Sequence, residues 1–297
     1  MSDAVAAFEA ERPRLLGLGY RMLGSLTDAE DVVQEAWLRW NRIESAAIDN
    51  PAAWLTTVTT RLALDRVRTI ERRREDYVGP WLPEPVAFDR GPEEAAEVAD
   101  SLTLGFLVVL DRLTPTERAV FLLADVFGEP FGAIAAAVGK TEENCRQIAT
   151  RARRKVRDER MPGATPISRE TLEALMIAIA TGEIDRVLAL LDTDVTLVSD
   201  SGAGRHAARR VVVGPARVAR LMRNVGGWVL NGTKPGYELA SADILVTKVN
   251  GAAAFRVNLP DGPYVFTGDE RDGKIVTIRT MLNPDKLTHI DEPATLR

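Results

Sequence analysis

Apolar residues recur at three- and four-residue intervals along the first quarter of the chain, the signature of amphipathic helices. Val33, Trp37 and Trp40 form one such series, and Trp54, Leu55, Val58 and Leu62 form another. Thr27 with Glu30 three residues on reads as a capping box for the first series, and Asn50 before Pro51 reads as an N-cap with proline at the first helical position for the second. The period breaks between 76 and 100. That stretch carries Gly79, prolines at 80, 83, 85 and 92, and the acidic residues Glu93, Glu94 and Glu97. Helical spacing returns over 101–158, where Thr114, Pro115 and Glu117 of LTPTE supply a cap, a first-turn proline and its reciprocating acid. A short apolar helix, a turn at Gly139 and a longer basic helix capped by Thr141 follow, in the order of a helix-turn-helix. Residues 161–168, MPGATPIS, read as a second linker.

From 169 onward the pattern is mixed. Two helices, one through Leu172, Leu175, Met176 and Ile179 and one from Ile184 to Leu191, precede strand-like runs at 194–199, 208–213, 243–249, 252–259, 263–267 and 274–281. A helix opened by Gly214 and Pro215 interrupts the strands. Helices followed by a mostly antiparallel sheet predict an α+β domain. The expected organisation is therefore two all-α domains, 1–75 and 101–160, and a third, α+β domain over 169–297, joined by linkers at 76–100 and 161–168.

Composition changes this picture little. The chain has 297 residues, which suits two or three domains, and a net charge of −5 that by itself argues against a nucleic-acid binder. Its one cysteine, Cys145, excludes an internal disulfide framework and fits a reducing cytoplasm. The start is acidic with no apolar signal segment, and no run reaches the ~18 apolar residues of a membrane span, so a cytoplasmic chain without membrane contact is expected.

Local charge is more informative than the total. Asp28, Asp31 and Glu35 share one helix face with Gln34 beside them, either a solvated face or a docking surface for a basic partner. Residues 61–74 hold six arginines against Asp65 and Glu71, a net of +4, and Arg61, Arg68 and Arg72 lie on one face suited to a phosphate backbone. Residues 140–157 hold seven cations against Glu142 and Glu143, a net of +5. In a helix-turn-helix the start of the second helix meets base edges, which selects Arg146 and Gln147. Arg151, Arg153 and Arg154 then fall where phosphate is gripped. Cys145 reads as a small core residue. No catalytic residue, cofactor or metal is expected, because two histidines and one cysteine provide no ligand cluster.

In combination and order, DAEDVVQEAWLRW, NPAAWLTTVTTRLALDRVR and the stretch from LTPTE to RRKVR resemble regions two and four of the extracytoplasmic-function group of sigma-70-type RNA polymerase sigma factors. The resemblance implies that Asp28, Asp31, Gln34 and Glu35, with Trp37 packed behind, dock on the coiled coil of the largest subunit of core RNA polymerase. It implies that Trp54, Arg61, Arg66, Arg68 and Arg72, with the loop at 43–50, face the minus-ten element of promoter DNA. The helix from Thr141, with Arg146, Gln147, Arg151, Arg153 and Arg154, would then read the minus-thirty-five element. Many members carry Asn where this chain has Arg61 and Arg where it has Ile148.

The third domain resembles the SnoaL-like or NTF2-like cone, a fold that includes isomerases with a pocket Asp or His; Asp194, Asp200, His206 and Asp269 are the corresponding candidates here. WLPEP at Trp81, Leu82, Pro83, Glu84 and Pro85, with NPDKL at Asn283, Pro284, Asp285, Lys286 and Leu287, resembles the shared marks of the SigJ-type class of these factors. The fused domain of that class is thought to replace a separate anti-sigma factor. The glycine-rich segment of that class is present only as DSGAGR. Prolines keep the linker extended at low entropic cost, so Trp81 and Leu82 are expected to dock on the third domain. Two other readings stand beside this one. One is a DNA-binding regulator that senses a small-molecule ligand through the cone's pocket, and the other is an isomerase-type enzyme fused to a helical module.

Overall fold

The computed structural model describes residues 3–43, 48–87, 102–203, 205, 207–230, 243–259 and 262–290. Glu93, Glu94, Glu97, His206 and the tip of the 43–50 loop lie outside the described residues.

Three long helices form the first domain: α1 (Asp3–Leu23), α2 (Leu26–Trp40) and α3 (Pro51–Glu75). Asn50 caps α3 by accepting from the Ala53 amide at 3.0 Å, with Pro51 at the first position. The cap of α2 is not Thr27 but Ser25, whose hydroxyl accepts from the Asp28 amide at 3.2 Å. Gly24, at φ +67°, turns the chain sharply out of α1, so the helix restarts two residues earlier than the Thr-Glu pair suggests.

The second domain holds α4 (Leu104–Leu110), α5 (Pro115–Phe121), a π-helical turn at Leu122–Val126, α6 (Phe131–Val138) and α7 (Glu142–Glu159). Thr114 and Glu117 form the reciprocal capping box. Gly139 ends α6 in the left-handed region at φ 68°, and Thr141 caps α7 through the Asn144 amide at 3.2 Å.

The third domain packs α8 (Arg169–Thr181), α9 (Ile184–Leu190) and α10 (Pro215–Leu230) on one face of a seven-stranded sheet. Its strands are β1 (Thr165–Pro166), β2 (Leu191–Asp200), β3 (Val212–Val213), β4 (Asp243–Val249), β5 (Ala252–Leu259), β6 (Gly262–Arg271) and β7 (Lys274–Met281). Their order is β3-β2-β7-β6-β5-β4, antiparallel except for β2 with β7, and β1 pairs with the far half of β6. The expected second linker thus contributes a strand, and Ile167 behind it is buried in the third domain's own core.

Both faces of this sheet are apolar. Phe255 and Ile278 face the helices with Leu172, Leu175 and Val218. Ala254, Val249, Val265 and Met281 instead join the apolar cluster that continues through Leu82 and Val86 into the two helical domains. Adjacent strand residues point to opposite faces, so the pairs Ala254/Phe255 and Val265/Phe266 divide between the two cores. A sheet covered on one side alternates apolar with polar positions; this one has a second apolar face because the linker and helical domains cover it.

Candidate functional site

The acidic stripe lies on α2. Asp31 and Gln34 are exposed, and Glu35 is half-buried and paired with Arg39 at 2.9 Å. Trp37 packs on Phe8 with ring centroids 4.9 Å apart. Asp28 is buried, and its carboxylate accepts from Arg66 Nε at 2.7 Å. Arg66 Nη2 also reaches Asp31 at 2.8 Å. Arg66, grouped with the minus-ten residues by its place in the basic run, is therefore spent on the acidic stripe. That pairing crosses between two helices, so linear spacing carries no signal for it.

On α3, Trp54 is half-buried against Trp40 at 5.5 Å, Arg68 pairs with Asp65 at 2.8 Å, and Arg72 is exposed. Arg61 crosses to the second domain, donating from Nη2 to Ala136 O at 2.7 Å and from Nε to Ala137 O at 3.3 Å. These carbonyls end the first helix of the helix-turn-helix, where a cation meets the negative end of the helix dipole. Other arginines line the same seam. Arg118 Nη1 donates to Met22 O at 2.8 Å, Arg74 pairs with Asp111 at 3.2 Å, and Arg14 pairs with Glu129. The guanidinium groups of Arg14 and Arg21 lie 5.3 and 5.4 Å from the centre of the Phe127 ring.

On α7 the buried stripe is Cys145, Ile148, Ala149, Ala152 and Val156, which leaves the opposite face open. Thr141, Gln147, Arg151 and Arg154 are exposed on it. Arg146 pairs with Glu142 at 2.7 Å and lies over the Phe131 ring, and Arg153 is held by Asp125 at 2.8 Å. Burial pushes the Cys145 thiol above its ordinary pKa, as fits a core residue.

The linker residues 80–86 run extended between the first and third domains. Asp200, at the end of β2 and fully buried, organises the contact. One carboxylate oxygen accepts from the Leu82 amide at 2.8 Å and from Lys286 Nζ at 2.7 Å, and the other accepts from the Tyr77 hydroxyl. Lys286 Nζ also donates to Leu82 O at 2.6 Å and sits 3.2 Å from the centre of the Trp81 ring, whose partners further include Arg74 at 4.6 Å and an edge contact with Tyr77. Burial lowers the pKa of Lys286 to about 8 against the attraction of Asp200. Asn283 caps the 3-10 turn Pro284–Lys286 through the Asp285 amide and donates to Tyr77 Oη at 2.8 Å; Leu287 is buried.

Two further contacts reach partners that no motif marks. Glu84 Oε2 accepts from the Leu26 amide at 2.8 Å, so the linker supplies a second cap to α2, and burial raises the pKa of this carboxyl. Asn250, in a left-handed turn at φ 51°, exchanges hydrogen bonds with Val86 and donates to Tyr20 Oη at 2.7 Å and Leu102 O at 2.8 Å, joining all three domains at one amide. A lone asparagine between two strands gives no warning of this role; an extended segment of known docking mode would.

Of the pocket candidates, Asp200 is consumed by the linker contact, Asp269 pairs with Arg279 at 2.6 Å, and Asp194 is exposed; His206 lies outside the described residues. No group of three or more His, Cys, Asp or Glu residues among the described residues could hold a metal ion. No helix among them is long and apolar enough to cross a membrane.

Known proteins resemble this chain over most of its length. Residues 7–74 match the family model for sigma-70 region 2, and residues 105–156 match that for sigma-70 region 4. The "ECF RNA polymerase sigma factor SigJ" of Mycobacterium tuberculosis is 38% identical over 297 residues, covering 96% of this chain and 93% of its own length. The "Probable ECF RNA polymerase sigma factor SigI" of the same species is 36% identical over 220 residues, covering 72% and 73%. The crystal structure of the M. tuberculosis SigJ matches this fold with a TM-score of 0.76 at 35% identity, over 97% of this chain and 99% of that one.

Proposed function

The chain belongs to the extracytoplasmic-function RNA polymerase sigma factors, of the class with a fused SnoaL-like domain, and from that premise we propose that its free form is closed and that its own third domain holds it so. The activity itself is that of the family: binding core RNA polymerase and directing promoter-specific initiation. Asp31, Gln34 and Glu35 present the polymerase-docking face, with Asp28 fixing Arg66 beneath it. Trp54, Arg61, Arg68 and Arg72 serve the minus-ten element. Arg146, Gln147, Arg151, Arg153 and Arg154, on the helix capped by Thr141, serve the minus-thirty-five element.

One observation carries the closed reading: Arg61 of α3 is hydrogen-bonded to the end of α6. The two promoter elements lie about 25 base pairs apart, roughly 85 Å of duplex at ~3.4 Å per pair. Helices in direct contact cannot span that distance, so the domains must separate before both elements are engaged. The linker clamp, in which Trp81 and Leu82 meet Asp200 and Lys286 while Glu84 caps α2, fixes the linker in the closed spacing. On this reading the third domain does the work of a separate anti-sigma factor. Run-off transcription with purified core polymerase tests both parts. The full chain should yield promoter-dependent transcript, and Lys286→Met, which breaks the clamp, should change the yield at equal sigma concentration. No transcript from either chain would refute the first part, and equal yields would refute the second.

A further inference from the structure

The turn between β4 and β5 does more than reverse the chain. Asn250 and Gly251, at φ 51° and 74°, form the two residues of that hairpin turn, where the backbone needs only tolerance of the left-handed region. The Asn250 side chain is left uncommitted by the turn, yet it is fully buried and reaches outside the third domain. Its Oδ1 accepts from the Val86 amide at 3.0 Å, and its Nδ2 donates to Leu102 O at 2.8 Å and to Tyr20 Oη at 2.7 Å. The Asn250 backbone amide donates to Val86 O at 2.9 Å. Val86 and Leu102, the two ends of the stretch 87–101, are therefore stapled together at one residue.

This staple shortens the tether between the two helical domains. Residues 76–103, 28 in all, join α3 to α4. While Asn250 holds both Val86 and Leu102, the 15 residues 87–101 add nothing to the tether, and the other 13 span at most about 45 Å. The promoter elements lie roughly 85 Å apart, and each helical domain extends ~15 Å from its centre, so about 55 Å must be bridged. The stapled chain falls short of this even with every other linker contact broken.

The holds on the two ends differ. Val86 makes two bonds to Asn250 and follows Trp81, Leu82 and Glu84, which meet Lys286, Asp200 and the start of α2. Leu102 is bonded to Asn250 through its carbonyl only. Just beyond it, a Cβ on Gly105 would lie 3.1 Å from Asp269 Oδ2, so the first turn of α4 rests against the third domain. If Leu102 leaves while Val86 stays, the 17 residues 87–103 carry α4 up to about 58 Å from the first domain, just enough to bridge the gap.

We propose that Asn250 is a positioning residue whose grip on Leu102 sets the reach of the second helical domain, and that the closed form opens by losing this contact while the clamp stays in place. The proposal rests on the reading of the two helical domains as the parts that engage both promoter elements at once. Asn250 acts here only on the length of free chain between those domains and touches no DNA.

Deletion of residues Arg90–Glu97 tests this, read by energy transfer between dyes at Asp65 and Lys140 and by run-off transcription with core polymerase. Transfer in the free chain should be unaltered, because those residues lie outside the stapled tether. With the clamp in place only nine residues then join Val86 to α4, at most about 31 Å, and promoter-dependent transcript should be lost. Adding Lys286→Met, which breaks the clamp, makes the whole tether of 20 residues available, about 68 Å, and transcript should return. Asn250→Gly keeps the turn and removes the staple; its dyes should separate at about fivefold lower core concentration, the effect of one hydrogen bond. Full transcript from the deletion alone, or no recovery on adding Lys286→Met, would overturn the proposal. An unshifted core titration of Asn250→Gly would also overturn it, and that titration decides the question if the deleted chain loses its transfer in the free form. Absence of transcript from the unsubstituted chain would instead fail the sigma reading itself.

Discussion

Lys286 shows how one side chain can hold a domain in place. Its ammonium is buried with Asp200 and packed on the face of Trp81, and burial lowers its pKa to about 8. The folded state therefore binds fewer protons at this site than the unfolded chain between pH 8 and the ordinary lysine value near ~10.4. Stability of the closed form should rise with pH across that window and level off below pH 8, where lysine is charged in both states. Tyr77 acts in the opposite sense: burial, with Asp200 beside it, raises its pKa, so its contribution is lost as pH climbs above the ordinary tyrosine range near ~10. Denaturant unfolding across pH 7 to 10 checks the sign, and Lys286→Met should flatten the curve. At neutral pH the same substitution strands the Asp200 carboxylate without its cation, at a cost of about 3–5 kcal/mol. The NPDKL motif marks Lys286 in the sequence, whereas Asp200 reads there as a pocket residue. Its carboxylate finds its partners 118 and 86 residues away, and no local pattern encodes such a pairing.

At the scale of elements, caps and alternation are legible in the sequence and cross-helix pairings are not. The predicted strands at 243–249, 252–259 and 274–281 coincide with β4, β5 and β7, because alternation and flanking turns are local properties. The cap of α2 differs from its predicted place, since the left-handed Gly24 and the remote Glu84 jointly set where that helix begins. Removing the remote cap with Glu84→Ala should free the Leu26 amide and cost about 1 kcal/mol, with faster hydrogen exchange over the first turn of α2. Unchanged protection there would show that Ser25 suffices. The extended linker should depend on its aromatic anchor in the same way. Trp81→Ala removes the ring between Arg74 and Lys286, and protease cleavage of the linker should accelerate severalfold. An unchanged cleavage rate would mean that Leu82 and the backbone bonds hold the segment without it.

Across the whole molecule, the closed form is held by two interfaces of different physical kind. The clamp is buried, with the Lys286–Asp200 ion pair set among hydrogen bonds and packed on Trp81, whereas much of the seam between the helical domains is arginine meeting carbonyl, carboxylate or ring nearer the surface. Exposed ionic contacts weaken with salt and buried ones much less. Arg61→Asn should therefore loosen the seam and leave the clamp in place. Energy transfer between dyes at Asp65 and Lys140 should fall in the free variant and, for the unsubstituted chain, fall further on binding core polymerase. Constant transfer in the core complex would contradict an opening transition. The sequence by itself determined the three domains, the helix-turn-helix, the polarity of its two helical faces and the motifs that mark the clamp, because periodicity, capping chemistry and charge runs are written within a few turns of chain. Tertiary structure alone decided that Arg66 serves the acidic stripe, that Arg61 closes the seam, that Asn250 joins three domains, and that the sheet's second face is buried. Each of these joins residues distant in sequence, and their meeting is fixed by the packing of whole domains.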